Sequence, residues 1–245
     1  VVTRPLGEGD GGEFEARLFI PLASSADHGP ATVMASPIVA FGHGFLTPVG
    51  LYESTLRHLA SWGITTIAPR SAGGPLPDHA AFAADLSAAL EWVAGEAAAD
   101  GDWPGLPVDA EARGTSGHSM GGGAAILAAA DDARIGSVAT LAAADTRPSS
   151  IEAAASLNVP TLFIAASQDG ITPVEEHQQP MFEAVSTAPA RLHVIEGGSH
   201  CGFLDTEILP GIVCDEAAID PAEQRARSRA ALVGWFRDQL GGGPI

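Results

Sequence analysis

Residues 117–121 read Gly-His-Ser-Met-Gly, and the serine of this pentapeptide, Ser119, is a candidate nucleophile. A serine in this pattern, between a strand and a helix, sits on a tight turn that exposes its hydroxyl. The flanking glycines matter because a Cβ at either position would collide with the neighbouring backbone. A short strand pattern precedes the motif and an alanine-rich helical pattern follows it. The chemistry predicted is therefore acyl transfer to Ser119; a glycine-rich connection without chemistry is the alternative.

A serine nucleophile needs a histidine base and an acid that orients the histidine. His200 follows a strand predicted over 191–195, and Asp169 follows a strand predicted over 161–165. The carboxyl ends of parallel strands meet at one edge of a sheet, where ligands bind. Both residues are therefore predicted beside Ser119. Asp145 also ends a predicted strand and is the alternative acid, while an ordinary loop histidine is the alternative for His200.

The other seven histidines are weaker candidates for the base. His118 flanks the serine and is too constrained to be its base, and His43 belongs to another loop. The remaining five are interpreted as surface or packing residues: His28, His58, His79, His177 and His193.

The oxyanion of a tetrahedral intermediate needs backbone N–H donors. Met120, the residue after the serine, is predicted to supply one of them. Phe45, in the loop Gly42-His43-Gly44-Phe45, is predicted to supply the other, since Gly44 lets the chain turn close to the substrate. The alternative is that Phe45 only packs.

Strand and helix patterns alternate along the chain and must position these groups. Short apolar or β-branched runs predict strands at 37–41, 64–68, 137–141, 161–165 and 191–195, and another strand ends near residue 117. Apolar residues at helical spacing and helical composition predict helices at 51–61, 78–95, 120–130, 173–185 and 223–240. Alternation at 13–20 predicts an antiparallel strand near an edge. The fold class is α/β, a mainly parallel sheet with helices on both faces, in one domain over 1–245.

Composition excludes several classes of protein. The chain has 245 residues with 46% hydrophobic residues, which is typical of a globular core rather than of disorder. No apolar run approaches the about 18 residues of a membrane span. All 12 basic residues are Arg, against 30 Asp and Glu, so the formal charge is −18. Such a surface repels phosphate backbones and anionic lipids, so we expect no nucleic-acid or membrane partner, and we expect a monomer.

The two cysteines, Cys201 and Cys214, are thirteen residues apart. A disulfide between them would indicate an oxidising compartment, and two free thiols are the alternative. Two cysteines without a C-x₂-C pair do not make a zinc site, and no metal or cofactor is predicted. Residues 1–18 lack a basic segment followed by an apolar one, so the chain is expected to be cytosolic or a mature secreted form.

With these motifs the chain resembles the bacterial cutinases and polyester hydrolases, including those that cleave poly(ethylene terephthalate). The similarity covers about 33–195 together with His200, and it is most specific at 117–123, 160–174 and 198–200. The resemblance implies an α/β-hydrolase fold without a large lid and a secreted serine carboxylic-ester hydrolase acting on esters or polyesters. It implies a catalytic triad of Ser119, Asp169 and His200. The oxyanion hole would be formed by Phe45 and Met120. The acyl cleft would be lined by Phe45, His118 and Ile171.

The chain departs from this family in ways that affect substrate preference. Ala143-Ala144 stands where many members have Pro-Trp, and Cys201 stands where Phe often follows the histidine. The family's cysteine pair near the C-terminus is absent. A Cys201–Cys214 bond would hold apolar residues near the cleft in place of the missing aromatic side chain, namely Phe203, Leu204, Ile208 and Leu209. A lipase or esterase without polymer activity, and a non-catalytic binding protein, are the alternative functions.

Overall fold

Eight strands and six α-helices make up the described part of the chain. The computed structural model describes residues 2–9, 12–22, 35–99, 103–206 and 214–241. The strands are β1 (Val2–Gly9), β2 (Gly12–Phe19), β3 (Ser36–Gly42), β4 (Thr65–Pro69), β5 (Val108–His118), β6 (Ser137–Leu141), β7 (Thr161–Ala166) and β8 (Ala190–Ile195). The helices are α1 (Glu53–Ser61), α2 (His79–Ala98), α3 (Met120–Asp131), α4 (Ser150–Ala154), α5 (Gln178–Ala184) and α6 (Pro221–Leu240). Short 3₁₀ turns occupy Val49–Tyr52 and His200–Phe203.

The strands form one sheet in the order β1-β2-β4-β3-β5-β6-β7-β8. Strands β3 to β8 are parallel, whereas β1 and β2 form an antiparallel hairpin whose second strand pairs with β4. This is the α/β-hydrolase fold, and the predicted α/β class with a mainly parallel sheet is confirmed.

Two apolar layers cover the two faces of the sheet, as a buried parallel sheet requires. One layer joins α2 and α3 to the sheet through side chains such as Phe82, Leu86 and Ile126. The other joins α1 and α6 to the opposite face through Leu56 and Phe236. All residues of β3, β4, β6 and β7 are buried, which explains why these strands read as continuous apolar runs.

One expectation about the sheet is confirmed, and two helices differ from the expectations. The strand predicted over 13–20 is β2, which is antiparallel and lies next to the edge strand β1, so it is near an edge as predicted. The helix predicted from residue 173 begins only at Gln178, because Pro173 starts a turn in which its carbonyl accepts from the N–H groups of Glu176 and His177. The short helix α4 was not predicted. It starts at a capping serine, Ser149, whose hydroxyl accepts from the N–H of Glu152.

The carboxyl ends of β3, β5, β7 and β8 lie at the same edge of the sheet, and their following loops carry the predicted site residues. The loops after β7 and β8 are joined directly, since the N–H of Gln168 donates to the carbonyl of Gly198 (2.8 Å). The hydroxyl of Ser167 also accepts from the N–H of Gly197 (2.8 Å). The sheet therefore brings the loops of Asp169 and His200 together. None of the helices in the described ranges is long and apolar enough to cross a membrane.

Candidate active site

Ser119 stands between β5 and α3 in a backbone conformation that residues with a Cβ rarely adopt, φ 56° and ψ −123°. Its N–H donates to the carbonyl of Leu141 on β6 (3.0 Å), and its carbonyl accepts from the N–H groups of Gly122 and Ala144 (2.9 Å each). A strained backbone of this kind persists only where its surroundings enforce it, and such strain is concentrated at functional sites. The main chain thus fixes Ser119 at the beginning of α3.

The glycines of the motif are required by direct backbone contacts. A Cβ on Gly117 would lie 2.3 Å from the carbonyl oxygen of Gly121, which is the backbone collision that the motif predicts. A Cβ on Gly121 would lie 2.1 Å from the carbonyl carbon of Gly42, at the end of β3. The turn that carries Ser119 therefore rests on the backbone of the strand that leads to Phe45.

His200 is paired with Asp169. The distance from Nδ1 of His200 to Oδ2 of Asp169 is 2.7 Å, and both side chains are buried. The other carboxylate oxygen accepts from the N–H groups of Ile171 (2.9 Å) and Thr172 (2.7 Å). Because these bonds orient the carboxylate and Nδ1 faces it, Nε2 is the ring nitrogen that remains for a hydroxyl.

Thr172 belongs to this group, although it was not among the predicted site residues. Its hydroxyl lies 2.8 Å from Oδ2 of Asp169, 3.1 Å from Nδ1 of His200 and 3.2 Å from the carbonyl oxygen of Ala142. A threonine three residues after an aspartate, within a loop, is a spacing at which side chain and backbone form a local turn. That spacing is the feature of the sequence from which Thr172 could have been predicted.

Asp145, the alternative acid, has a different set of partners. Its carboxylate accepts from the hydroxyl of Ser149 (2.8 Å) and from the N–H of Ile151 (3.2 Å), where it supports the start of α4. The structure therefore brings Asp169, and not Asp145, to the imidazole of His200.

His118 connects the predicted oxyanion loop to His200 through a buried chain of hydrogen bonds. The N–H of Gly44 donates to the hydroxyl of Tyr52 (3.0 Å), which donates to Nδ1 of His118 (2.9 Å). Nε2–H of His118 donates to the carbonyl of His200 (3.1 Å). The directions are fixed because the first group can only donate and the last can only accept.

Burial controls the protonation of this chain of hydrogen bonds. Burial, and secondarily the charge of His200, holds the pKa of His118 well below the usual range of histidine. Burial also raises the pKa of Tyr52 far above its ordinary value, so the phenol stays protonated. His118 is only 2% exposed, whereas the resemblance implies that it lines the cleft.

The two predicted oxyanion donors belong to different segments of the chain, the loop after β3 and the start of α3. Met120 is the first residue of α3, so its N–H has no partner within the helix. Phe45 follows Gly44, and its carbonyl accepts from the hydroxyl of Thr47 (3.0 Å), which holds the loop closed. Both residues line the same cleft as Ser119.

This cleft is open and has a volume of about 340 Å³. Two apolar side chains stand exposed on it, Phe45 (48%) and Ile171 (43%). Ala144, which stands where many family members have an aromatic residue, contributes only a methyl group to the cleft. The cleft is lined by Phe45, Pro77, His79, Ser119, Met120, Ala144, Asp145, Thr146, Ile171, Thr172 and His177.

Two histidines interpreted as surface or packing residues lie in this cleft. Nδ1 of His177 accepts from the N–H of Asp145 (3.0 Å), and Nδ1 of His79 accepts from the N–H of Arg147 (3.1 Å). Both histidines come from elements far along the chain from Ser119, so no local motif marks them.

A family profile described as PET hydrolase-like matches residues 27–208, which is most of the chain. The chain belongs to the PET hydrolase-like family. It is therefore a member of a family of ester and polyester hydrolases with the α/β-hydrolase fold, and the resemblance stated from the motifs is confirmed. A comparison with curated proteins found no match.

The residues matched by the PET hydrolase-like profile include Cys201 but end before Cys214. These cysteines form the predicted disulfide, with their Cα atoms 5.6 Å apart. Next to Cys214, the carboxylate of Asp215 accepts from the N–H of Gly170 (2.8 Å). The bonded segment thus contacts both the loop of His200 and the loop of Asp169.

The prediction that the disulfide holds apolar residues at the cleft is wrong for the residues that can be described. Phe203 and Leu204 are almost fully buried, and they pack in the layer between the sheet and α1 and α6. Burying such side chains in the core stabilises the fold more than partial cover of an open cleft would. Ile208 and Leu209 lie outside the described residues.

Within the described ranges, no three His, Cys, Asp or Glu side chains form a group that could hold a metal ion.

Proposed function

We propose that this protein is a secreted serine carboxylic-ester hydrolase with Ser119 as nucleophile, His200 as general base and Asp169 as the acid that orients the base. The main support is the buried 2.7 Å pair of His200 and Asp169 at the sheet edge that carries the strained Ser119. This order of Ser, Asp and His along the chain is that of hydrolases of this fold.

The proposed reaction begins when Oγ of Ser119 attacks the ester carbonyl carbon and Nε2 of His200 takes the hydroxyl proton. The electron pair of the carbonyl bond moves to the oxygen, which accepts hydrogen bonds from the N–H groups of Met120 and Phe45. The C–O bond to the alcohol then breaks, and His200 returns the proton to the leaving oxygen. An acyl ester of Ser119 remains.

Water completes the cycle. His200 takes a proton from the water, whose oxygen attacks the acyl carbon of the Ser119 ester. The bond to Oγ breaks, Ser119 regains its proton from His200, and the carboxylic acid is released. Asp169 stays ionised throughout and favours the imidazolium that forms at each step.

The open cleft supports esters with extended acyl groups, including polyester chains, as the proposed substrates. Phe45 and Ile171 present apolar side chains in the cleft. The small side chain of Ala144 leaves room for a polyester chain that extends beyond the cleft. The same alanine favours a second candidate function, a small-molecule esterase, since a flat aromatic ring of a polymer would find no aromatic partner there.

Secretion is supported by the Cys201–Cys214 disulfide, because such bonds persist in oxidising compartments. Locating the protein in culture supernatant or in cells of its natural host would test this part of the proposal.

The decisive experiment combines covalent labelling with a substrate panel. An organophosphonate that reacts with activated serines should add once, at Ser119, and the Ser119→Ala variant should stay unlabelled. p-Nitrophenyl esters of increasing chain length and a polyester film then separate the candidates. Hydrolysis of both supports the polyester hydrolase, whereas turnover of soluble esters alone supports the small-molecule esterase. Absence of labelling and of turnover would instead support a binding protein.

A further inference from the structure

Gln224, on the first turns of α6, hydrogen-bonds both main-chain groups of the residue that precedes His200. The N–H of Ser199 donates to Oε1 of Gln224 (3.0 Å), and Nε2–H of Gln224 donates to the carbonyl of Ser199 (2.8 Å). The Gln224 side chain is fully buried. It lies outside the residues matched by the family profile, so family membership does not assign it a role.

The loop that carries His200 is shaped around this side chain. A Cβ on Gly198 would lie 2.8 Å from Oε1 of Gln224, and a Cβ on Gly202 would lie 2.0 Å from the same atom. The two glycines therefore let the main chain close around the amide. A second contact from α6 supports the end of the loop, where Arg225 donates to the carbonyl of Leu204 (2.9 Å).

The main chain at His200 is thus held from two different elements. His118, at the end of β5, donates to the carbonyl of His200, and Gln224 holds the peptide groups of Ser199 from α6. Removal of the Gln224 amide would leave the buried N–H of Ser199 without its partner and would leave the Ser199 carbonyl with only the longer bond from the N–H of Gly202 (3.3 Å). Buried main-chain groups are rarely left unpaired, so the loop would shift until they found new partners.

We propose that Gln224 is a positioning residue for the general base. It fixes the peptide before His200, so that the imidazole ring keeps Nδ1 on Asp169 and Nε2 toward Ser119. Gln224 does not line the cleft of Ser119 and acts only through Ser199. The inference rests on the proposed role of His200 and adds to it a residue from a distant helix.

The test replaces Gln224 with methionine, which keeps the length and apolar bulk of the side chain but removes both hydrogen bonds. For Gln224→Met we expect kcat on a p-nitrophenyl ester to fall by about tenfold or more, because small displacements of a reacting group cost large factors in rate. KM should change by less than about twofold, since the cleft itself is untouched. Titration with the organophosphonate gives the concentration of active sites and corrects for unfolded protein.

The matched control is Ser228→Ala, one turn further along α6. Ser228 is also buried, but its hydroxyl donates only to the carbonyl of Arg225 within the helix. We expect this variant to keep the kcat of the wild type. An equal loss of kcat in both variants would show a general effect of α6 and overturn the proposal.

A second variant, Gln224→Glu, keeps the acceptor for the N–H of Ser199 and, when the carboxyl group is ionised, loses the donor to the Ser199 carbonyl. Its expected kcat lies between those of the wild type and Gln224→Met. This variant also tests the proposal if the methionine variant does not fold.

The resonance of the Nδ1 proton of His200 gives a readout that does not depend on catalysis. In the wild type this proton lies in the bond to Asp169, and we expect a low-field signal that broadens or shifts in Gln224→Met but not in Ser228→Ala. An unchanged signal together with unchanged kcat in folded Gln224→Met would overturn the inference. If the wild type hydrolyses no ester, the proposed function fails, while the resonance still decides whether Gln224 positions His200.

Discussion

The buried carboxylate of Asp169 forms hydrogen bonds through both of its oxygens. Its two oxygens accept from the main chain of Ile171 and Thr172 and pair with His200. A carboxylate oriented in this way selects the tautomer of the imidazole that can accept a proton from a serine. At the scale of single residues, the site therefore depends on the orientation of the Asp169 carboxylate as well as on its presence.

The first prediction concerns the three proposed catalytic residues. Ser119→Ala, His200→Ala and Asp169→Ala should each lower kcat by about four orders of magnitude or more, because the three act as one unit. Rates on a p-nitrophenyl ester, with circular dichroism to verify folding, measure the effect. Asp145→Ala should lose far less, since its carboxylate serves α4. A large loss in Asp145→Ala combined with an active Asp169→Ala would refute the assignment of the acid.

The second prediction concerns His118 and stability against acid. The pKa of His118 in the folded protein is well below its unfolded value, so unfolding takes up a proton at this residue when the pH is below about 6.5. The stability contributed by neutral His118 is complete above that pH and is lost as the pH falls toward the folded pKa. Within this window the free energy of unfolding should fall by up to about 1.4 kcal/mol per pH unit from this group alone.

The matching variant is His118→Gln, which cannot titrate. Urea unfolding at a series of pH values should give a shallower dependence on pH for this variant than for the wild type. An identical dependence in the two proteins would show that His118 is not the buried neutral group described above.

Motif spacing predicted Ser119, Asp169 and His200, because each follows a strand whose apolar run is visible in the sequence. The residues that support these three could not be predicted from the sequence. Tyr52 and His118 are 66 residues apart, and Gln224 is 25 residues from Ser199, so their contacts depend on how the 3₁₀ turn Val49–Tyr52, β5 and α6 pack. Thr172 alone lay close enough to Asp169 for the local spacing to indicate it.

At the scale of elements, buried parallel strands were predicted well and polar or short elements were not. The strand β1 reads Val-Thr-Arg-Pro-Leu-Gly-Glu-Gly, and its proline and glycines are unfavourable for strands. The helix α4 has only five residues, too few for an apolar period. Such elements form because of their neighbours, so their own sequences carry little signal.

The third prediction concerns the disulfide-bonded segment. The chain-entropy model gives about 3 kcal/mol for closing a loop of about fourteen residues, so reduction should lower Tm by about 6–12 °C. Activity should fall as well, because Cys201 is bonded to the segment that reaches both His200 and Gly170. Thermal unfolding and ester hydrolysis with and without a reductant measure both effects.

The control for this prediction is the double variant Cys201→Ser with Cys214→Ser, on which the reductant should have no effect. Ellman's reagent should detect no thiol in the denatured, unreduced wild type. Two reactive thiols there would contradict the bond.

At the scale of the whole molecule, the charge of −18 affects how the protein would approach a solid substrate. Hydrolysis of a polyester creates carboxylates on the film, and these repel an acidic protein. Salt shortens the range of that repulsion, from about 10 Å at 0.1 M to about 3 Å at 1 M.

The fourth prediction follows from this repulsion. If the protein cleaves a polyester film, raising NaCl over that range should increase the rate on a partly hydrolysed film more than on a neutral soluble ester. Release of soluble acid from the film and release of p-nitrophenol give the two rates. Equal salt effects on both substrates would show that surface charge does not limit the reaction.

The contact between the backbones of Gly121 and Gly42 has a consequence for anyone who wishes to change what this cleft accepts. Because a single methyl group at Gly121 would overlap the end of β3, a combinatorial library that varies the glycines around Ser119 would consist mostly of misfolded clones. Phe45, Ile171 and Ala144 border the same cleft without such overlaps. Diversity placed at those three positions would sample new specificities while the turn beneath them stays invariant.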